Sequence, residues 1–130
     1  MIRGVSRAAV YIRTDPEGKL PSREEQQATL EGFAARLGHE IVARYEDLDA
    51  QGAFLYHRPG LKAAIGNIKE EEDWEVLLVA LPRCISETET AVHEFVHKFS
   101  LYNNRVESPE RGWEEFLADM KAYRREMSRR

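Results

Sequence analysis

Apolar residues along this chain occur either in short continuous runs or in stripes with helical spacing. Ala8 to Ile12 and Val76 to Ala80 are continuous apolar runs, and Ile41 to Tyr45 is a third segment of strand character. Such runs are typical of strands that a parallel sheet buries on both faces. Four other segments repeat apolar residues at helical spacing, which predicts amphipathic helices. Their stripes are Leu30, Phe33, Ala34 and Leu37; Leu61, Ala64, Ile65 and Ile68; Ala91, Val92, Phe95, Val96 and Phe99; and Trp113, Phe116, Leu117, Met120, Tyr123 and Met127.

Capping residues mark where the first two helices begin and end. Ser22, followed three residues later by Glu25, is a capping box, and Gly38 is placed to stop the same helix. Pro59 suits the first turn of the second helix. The segment Glu46 to Tyr56 has no sustained period and is predicted to be an exposed loop.

The C-terminal third is less regular. Ser108 and Pro109 are expected to introduce the fourth helix. The segment from Tyr102 to Val106 is too short and polar to predict a fourth strand, so we expect none there. The fourth stripe is long enough to pack against the protein's own core or against a partner helix.

Strands that alternate with amphipathic helices predict an α/β fold, with a mostly parallel sheet, helices on both faces and a C-terminal amphipathic helix. We expect residues 1–130 to form a single domain without a separate DNA-binding domain. Ligands of such folds bind beyond the carboxyl ends of the strands. There Arg13 and Arg83 would share one rim with Asp15 and Asp47, either as an anion site or as a structural network of arginines and aspartates.

Charge argues against a domain that binds nucleic acid by bulk attraction. The chain has 19 Lys and Arg against 23 Asp and Glu, a net charge of -4. A local basic patch remains open at the end of the last helix, where cations also oppose the helix dipole. Its residues are Lys121, Arg124, Arg125, Arg129 and Arg130.

The sequence predicts no membrane-spanning helix and no membrane partner, because no apolar run approaches the about twenty residues that cross a bilayer. The N-terminus lacks the pattern of a signal peptide, and the single Cys84 has no cysteine to pair with inside the chain. We therefore expect a cytoplasmic protein, in which Cys84 is a buried and inert thiol.

The stretch from His93 to His97 reads HEFVH, which fits the zinc-binding pattern H-E-x-x-H. A zinc-dependent hydrolase would use His93 and His97 as ligands, Glu94 as general base and Glu115 as a third ligand. Phe95 belongs to the apolar stripe of the same helix, and Lys98 would place a positive charge beside the metal. We therefore predict no metal and no other cofactor, and keep the zinc hydrolase as an alternative.

An ordered series of short motifs resembles the catalytic domain of serine recombinases, the resolvase/invertase family. It covers roughly residues 7 to 87. The motifs are Tyr11-Ile12-Arg13, Ser22-x-x-x-Gln26, Gly38-His39-Glu40-Ile41-Val42 leading to Asp47 and Gly52, Arg58-Pro59-Gly60-Leu61, and Trp74 to Val79 ending at Arg83. The resemblance implies a small α/β domain that dimerises through a helix. It also implies DNA cleavage by a serine, with arginines that steady the phosphoryl group and no metal or ATP.

The matching positions imply a phosphate site formed by Arg13, Arg58 and Arg83, with Tyr11, Gln26 and Asp47 beside it. Several other positions depart from the family pattern. Asp15 stands where the family has its nucleophilic serine, Gln51 replaces the serine before the loop glycine, Pro82 replaces an aspartate, and Ser86 replaces a second arginine. A carboxylate would repel the phosphate and form a hydrolysable acyl phosphate, whereas a serine forms a phosphoester that lasts until strand exchange.

These substitutions predict a catalytically degenerate domain related to site-specific recombination. We expect it to act as a DNA-associated or protein-interaction module, with DNA or an active recombinase as partner, and to form a homodimer through the C-terminal helix. The alternatives are an active DNA-cleaving recombinase with an atypical nucleophile and the zinc hydrolase.

Overall fold

The computed structural model of the chain describes residues 6–48, 58–70 and 74–129. Within them lie four strands, four α-helices and one short 3-10 turn. In chain order they are β1 (Ser6–Arg13), α1 (Arg23–Leu37), β2 (His39–Asp47), α2 (Pro59–Glu70), β3 (Val76–Val79), the 3-10 turn (Pro82–Cys84), α3 (Glu89–Leu101), β4 (Arg105–Glu107) and α4 (Trp113–Ser128).

The four strands form one parallel sheet in the order β2-β1-β3-β4. Successive residues of β2 face opposite sides and contact different helices. Arg44 reaches Glu31 of α1, whereas Tyr45 bonds to Asn67 of α2. Helices therefore cover both faces, and the predicted fold class is confirmed. Along the chain, β2 is added on one side of β1, and β3 and β4 are added on the other side. The order of the strands therefore reverses between β1 and β3, and a ligand site is expected beyond the carboxyl ends of these two strands.

Helix α1 has the boundaries that its capping residues predict. The Ser22 hydroxyl accepts the Glu25 N–H, and the Glu25 carboxylate accepts the Ser22 N–H, each at 3.1 Å. Gly38 ends the helix with a φ of 75°, a left-handed conformation that favours glycine. This precise ending lets β2 begin immediately at His39 and run beside β1.

Two predictions for the C-terminal third are wrong. A fourth strand is present, because the Arg105 N–H bonds to the Glu75 carbonyl and Val106 is buried against the core. Ser108 does not begin α4. It forms a turn with Arg111, and the helix starts at Trp113, where the Glu115 carboxylate accepts the N–H of Gly112.

Helix α4 packs its apolar stripe mainly against the rest of the chain. Phe116 and Met120 are buried, and Trp113 and Leu117 lie partly buried against the core; Tyr123 stacks on His93 of α3 with ring centroids 4.9 Å apart. Only Met127, at 46% exposure, extends beyond this packing. Intramolecular packing therefore accounts for most of the stripe that also suggested a dimer contact.

The predicted loop after β2 falls largely on residues 49–57, which lie outside the described residues. No helix in the described ranges has the length and apolar character needed to cross a membrane.

Candidate active site

Gln26 holds the end of β1 against α1. Its side chain is fully buried, and its amide nitrogen donates to the carbonyls of Arg13 and Pro21 at 2.7 and 2.8 Å. Its amide oxygen accepts the backbone N–H of Arg13 and the thiol of Cys84, both at 3.3 Å. Gln26 thus satisfies polar groups where the strand ends, a role that keeps the carboxyl end of β1 in place.

Arg13 and Arg58 converge on the turn that follows β3, although they are distant in sequence. Both are buried, and both donate to the carbonyl of Cys84, Arg13 through Nε at 3.0 Å and Arg58 through Nη1 at 3.2 Å. Arg13 also donates to the Arg83 carbonyl, and Arg58 to the Ile85 carbonyl at 2.7 Å. The two guanidinium groups therefore satisfy consecutive carbonyls of one turn.

Among the residues that the structure describes, the carboxylate of Glu87 joins this arginine pair. Glu87 Oε1 lies 3.3 Å from Arg13 Nη2. The Nε atom of Arg58 is buried without a hydrogen-bond partner among the described residues. Positive charge at this edge is thus bound partly by carbonyl dipoles and partly by an acidic side chain.

Asp47 connects the end of β2 to the start of α2. Its carboxylate accepts the backbone N–H groups of Gly60 at 2.8 Å and Leu61 at 2.9 Å, and the hydroxyl of Tyr11 at 2.7 Å. Pro59 at the first helical position has no N–H, so Asp47 caps the next two free donors from another strand. Burial raises the pKa of Tyr11, and the hydrogen bond to the Asp47 carboxylate raises it further.

Gly60 is required by the close approach of α2 to β2. A Cβ atom at this position would lie 2.4 Å from the carbonyl oxygen of Glu46. The motif Arg58-Pro59-Gly60-Leu61 therefore has a local physical explanation. It supplies a buried arginine, a proline that needs no donor, a glycine for the contact and a fully buried leucine.

Asp15 belongs to a turn after β1. Its Oδ1 accepts the backbone N–H of Lys19 at 2.8 Å, and its carbonyl accepts the N–H of Gly18, whose φ is 71°. An aspartate that accepts a nearby backbone N–H is typical of turns. Asp15 is only partly buried and does not join the contacts of Arg13 described above.

Arg83 contributes its backbone rather than its guanidinium to this cluster. Its side chain is exposed, while its carbonyl binds Arg13. Cys84 beside it is fully buried, as predicted, and burial raises the pKa of its thiol. Gln51 and Gly52, which the sequence also places near the site, lie outside the described residues. Two of the three predicted phosphate-binding arginines therefore meet, and the side chain of the third is exposed.

Comparison with known proteins decides the family. The family profile described as "Resolvase, N terminal domain" matches residues 8–130. The chain belongs to the resolvase N-terminal domain family. A search of curated protein sequences finds no significant match.

Solved structures agree with the resolvase fold. The N-terminal catalytic domain of TP901-1 integrase aligns with a TM-score of 0.77 and 22% identity, over 95% of this chain and 96% of that one. A resolvase family site-specific recombinase from Streptococcus pneumoniae gives 0.69 and 19%, over 95% and 91%. The C-terminal catalytic domain of ISC1926 TnpA, an IS607-like serine recombinase, gives 0.67 and 19%, over 78% and 66%. At these identities the likeness is one of fold.

The zinc alternative is not favoured in this resolvase-family chain. His93 is packed rather than solvated, because its ring stacks on Tyr123, and its Nε2 lies 3.7 Å from Glu89. Glu115, the third ligand considered, caps α4 two turns before Tyr123, about 12 Å away along the helix. Within the described ranges, no group of three or more His, Cys, Asp or Glu side chains is placed to hold a metal ion.

Sequence reasoning missed Glu87 and the capping role of Asp47. Glu87 follows the carboxyl end of β3, and Arg13 ends the neighbouring strand β1. Their places in the sequence could therefore have predicted that the two side chains lie close together. Asp47 was placed correctly at the rim. Its partners depend on how closely α2 approaches β2, and Gly60 was the one sequence signal of that approach.

Proposed function

We propose that this chain is a catalytically degenerate serine-recombinase domain that works as a DNA-associated or protein-interaction module and does not cut DNA. Membership of the resolvase family supports a relation to site-specific recombination. The absence of cleavage is proposed on one main observation, the position and bonding of Asp15. The proposed contacts with DNA, with a recombinase partner and with a second copy of the chain rest on the surface of α4.

Asp15 has the wrong chemistry and the wrong role for a nucleophile of this kind. By resemblance it occupies the position of the attacking serine, but it carries a carboxylate whose charge repels a phosphodiester. Its Oδ1 is already hydrogen-bonded to the Lys19 N–H at 2.8 Å. A residue that stabilises the turn after β1 in this way is explained without any catalytic role.

The bonding of the arginines supports the same conclusion. Phosphoryl transfer requires N–H donors aimed at the charge that develops on the phosphoryl oxygens. Arg13 Nε and Nη2 and Arg58 Nη1 instead donate to the carbonyls of residues 83–85, and among these arginines' donors Arg58 Nε is buried without a partner in the described residues. Pro82 and Ser86 provide neither a carboxylate nor a guanidinium at positions where the family has them. We therefore assign Tyr11, Arg13, Gln26, Asp47, Arg58 and Arg83 to a degenerate site.

The C-terminal half of α4 supports association with DNA. Lys121, Arg124 and Arg125 are exposed, and none of the three forms an ion pair with a described residue. Cations that are not neutralised by carboxylates can release counterions from a DNA backbone. Three such contacts predict that the logarithm of the DNA association constant falls linearly with the logarithm of the salt concentration, with a slope of about -3.

The same half-helix supports a homodimer. Met127 is 46% exposed at the end of the apolar stripe, beyond the part that packs on α3. A Met127→Glu variant is expected to shift sedimentation equilibrium toward monomer. Leu101→Glu, which changes a 66% exposed apolar residue on α3, is the matched control and should leave the association unchanged.

The cleavage test uses a supercoiled plasmid pool with random inserts, quenched with detergent so that covalent protein–DNA adducts are retained. We expect neither nicks nor adducts, together with salt-dependent DNA binding that weakens in Lys121→Gln, Arg124→Gln and Arg125→Gln. An adduct formed by the native chain and lost in Asp15→Asn would overturn the proposal in favour of an active enzyme with an atypical nucleophile.

A further inference from the structure

We propose that the carboxylate of Glu87 occupies the anion site of Arg13, as an internal substitute for a phosphate oxyanion. The inference rests on the proposed function, because it takes the surroundings of Arg13 as a degenerate phosphate site. Its geometric basis is the ion pair between Glu87 Oε1 and Arg13 Nη2 at 3.3 Å. An external oxyanion that approaches Nη2 of Arg13 would therefore compete with this carboxylate.

The two partners of this ion pair have very different surroundings. The side chain of Arg13 is 1% exposed, whereas that of Glu87 is 43% exposed. A buried guanidinium is stabilised by a counter-charge, and carbonyl dipoles supply only part of it. The Glu87 carboxylate therefore supplies negative charge to a guanidinium that water does not reach. Glu87 itself extends to this guanidinium from the solvent-exposed side.

Backbone contacts hold the guanidinium while leaving this carboxylate replaceable. Arg13 Nε is fixed by the Cys84 carbonyl, and Nη2 contacts both the Arg83 carbonyl and Glu87. Glu87 precedes Thr88, the N-cap of α3, so its side chain is outside the regular helix. Rotation of that side chain into solvent would free one donor of Nη2 without moving the turn.

A phosphate group is a suitable replacement ligand for electrostatic and geometric reasons. Its oxygens accept hydrogen bonds from guanidinium donors, and its charge replaces that of the lost carboxylate. While Glu87 remains, its negative charge opposes an approaching phosphate. Glu87 thus lowers the affinity of this edge of the sheet for oxyanions and keeps Arg13 neutralised inside the protein.

The test compares Glu87→Gln with Glu31→Gln in the full chain. Glu31 pairs with Arg44 at 3.4 Å, nearly the same separation, but that arginine is 44% exposed. Thermal unfolding is followed by circular dichroism in inorganic phosphate and in sodium chloride of equal ionic strength and pH. Phosphate stabilises proteins generally, so the native chain and Glu31→Gln measure that background.

We expect Glu87→Gln to have the lowest midpoint in chloride and to gain several degrees more from phosphate than the other two proteins. Its phosphate affinity should exceed that of the native chain by about tenfold or more. The Nε–H resonance of Arg13 should shift on phosphate addition in this variant only. Equal phosphate responses in all three proteins, or an unchanged Arg13 resonance, would overturn the inference.

A variant that unfolds in chloride still gives a decision. Phosphate should then restore the helical signal of Glu87→Gln where sucrose, which stabilises proteins generally but carries no charge, does not; equal restoration by both, or none by phosphate, counts against the inference. Cleavage by the native chain is measured separately, so an adduct on DNA would refute the proposed function without changing the phosphate result.

Discussion

Replacing Asp47 by alanine tests whether this carboxylate joins α2 to the sheet. The change removes the acceptor for the N–H groups of Gly60 and Leu61 and for the Tyr11 hydroxyl. Loss of a helix cap costs about 1–2 kcal/mol. Leaving the buried Tyr11 hydroxyl without its partner costs about 1–3 kcal/mol more. We therefore expect Asp47→Ala to lower the free energy of unfolding by about 2–5 kcal/mol.

Such a loss is a large fraction of the about 5–15 kcal/mol that stabilises an ordinary domain. The assay is urea unfolding followed by circular dichroism at neutral pH. With an m-value of about 1.5 kcal/mol/M, the midpoint should fall by about 1–3 M. Asp47→Asn retains one acceptor oxygen and should lose about half as much stability.

Glu46→Ala is the matched control, because it removes the neighbouring carboxylate from the same strand. Glu46 pairs with the partly exposed Arg23 at 2.8 Å, a surface contact that contributes below about 1 kcal/mol. If Asp47→Ala and Glu46→Ala had the same midpoint, Asp47 would not be capping α2, and the explanation of this end of the site would be refuted.

Two further predictions concern α2 and Tyr11. Gly60→Ala should lower the free energy of unfolding by about 1–3 kcal/mol, because its Cβ would meet the Glu46 backbone. Gly66→Ala in the same helix has open space and should raise that free energy by up to about 1 kcal/mol, so opposite shifts in urea midpoint are expected. The native-state pKa of Tyr11 is raised above its unfolded value of about 10, so the unfolded chain loses this proton first and stability falls as pH rises above about 10. Tyr11→Phe should be less stable at neutral pH but lose less stability between neutral and alkaline pH; parallel pH profiles for the two proteins would contradict this.

Local signals in the sequence account for the elements that were predicted correctly. The capping box at Ser22 and Glu25 needs only neighbouring residues, and the apolar runs of β1 and β3 reflect burial on both faces. Strand β4 has one buried apolar residue, Val106, and is formed because β3 offers an unpaired edge. A strand that depends on its neighbour leaves little pattern of its own, which is why it was missed.

The candidate site was predictable in position but only partly in bonding. The carboxyl ends of β1 and β2 correctly placed Arg13 and Asp47 at one edge. Their partners are mainly backbone groups, the carbonyls after β3 and the N–H groups of α2. Backbone donors and acceptors are present at every residue, so a sequence does not reveal which of them a buried side chain will select.

This bonding explains how a resolvase-family chain can keep most of its characteristic residues under the proposed loss of cleavage. Gln26, Arg13 and Arg58 satisfy buried carbonyls, while Asp47 and Tyr11 stabilise the start of α2. Replacing any of them would leave buried polar groups unpaired, so folding alone is sufficient to retain them. Asp15 carries no such constraint, because its contact is an exposed turn that other residues also form. Under the proposed function, the retained residues at this site therefore reflect the needs of folding, and the proposed loss of cleavage rests on the residues at positions 15, 82 and 86.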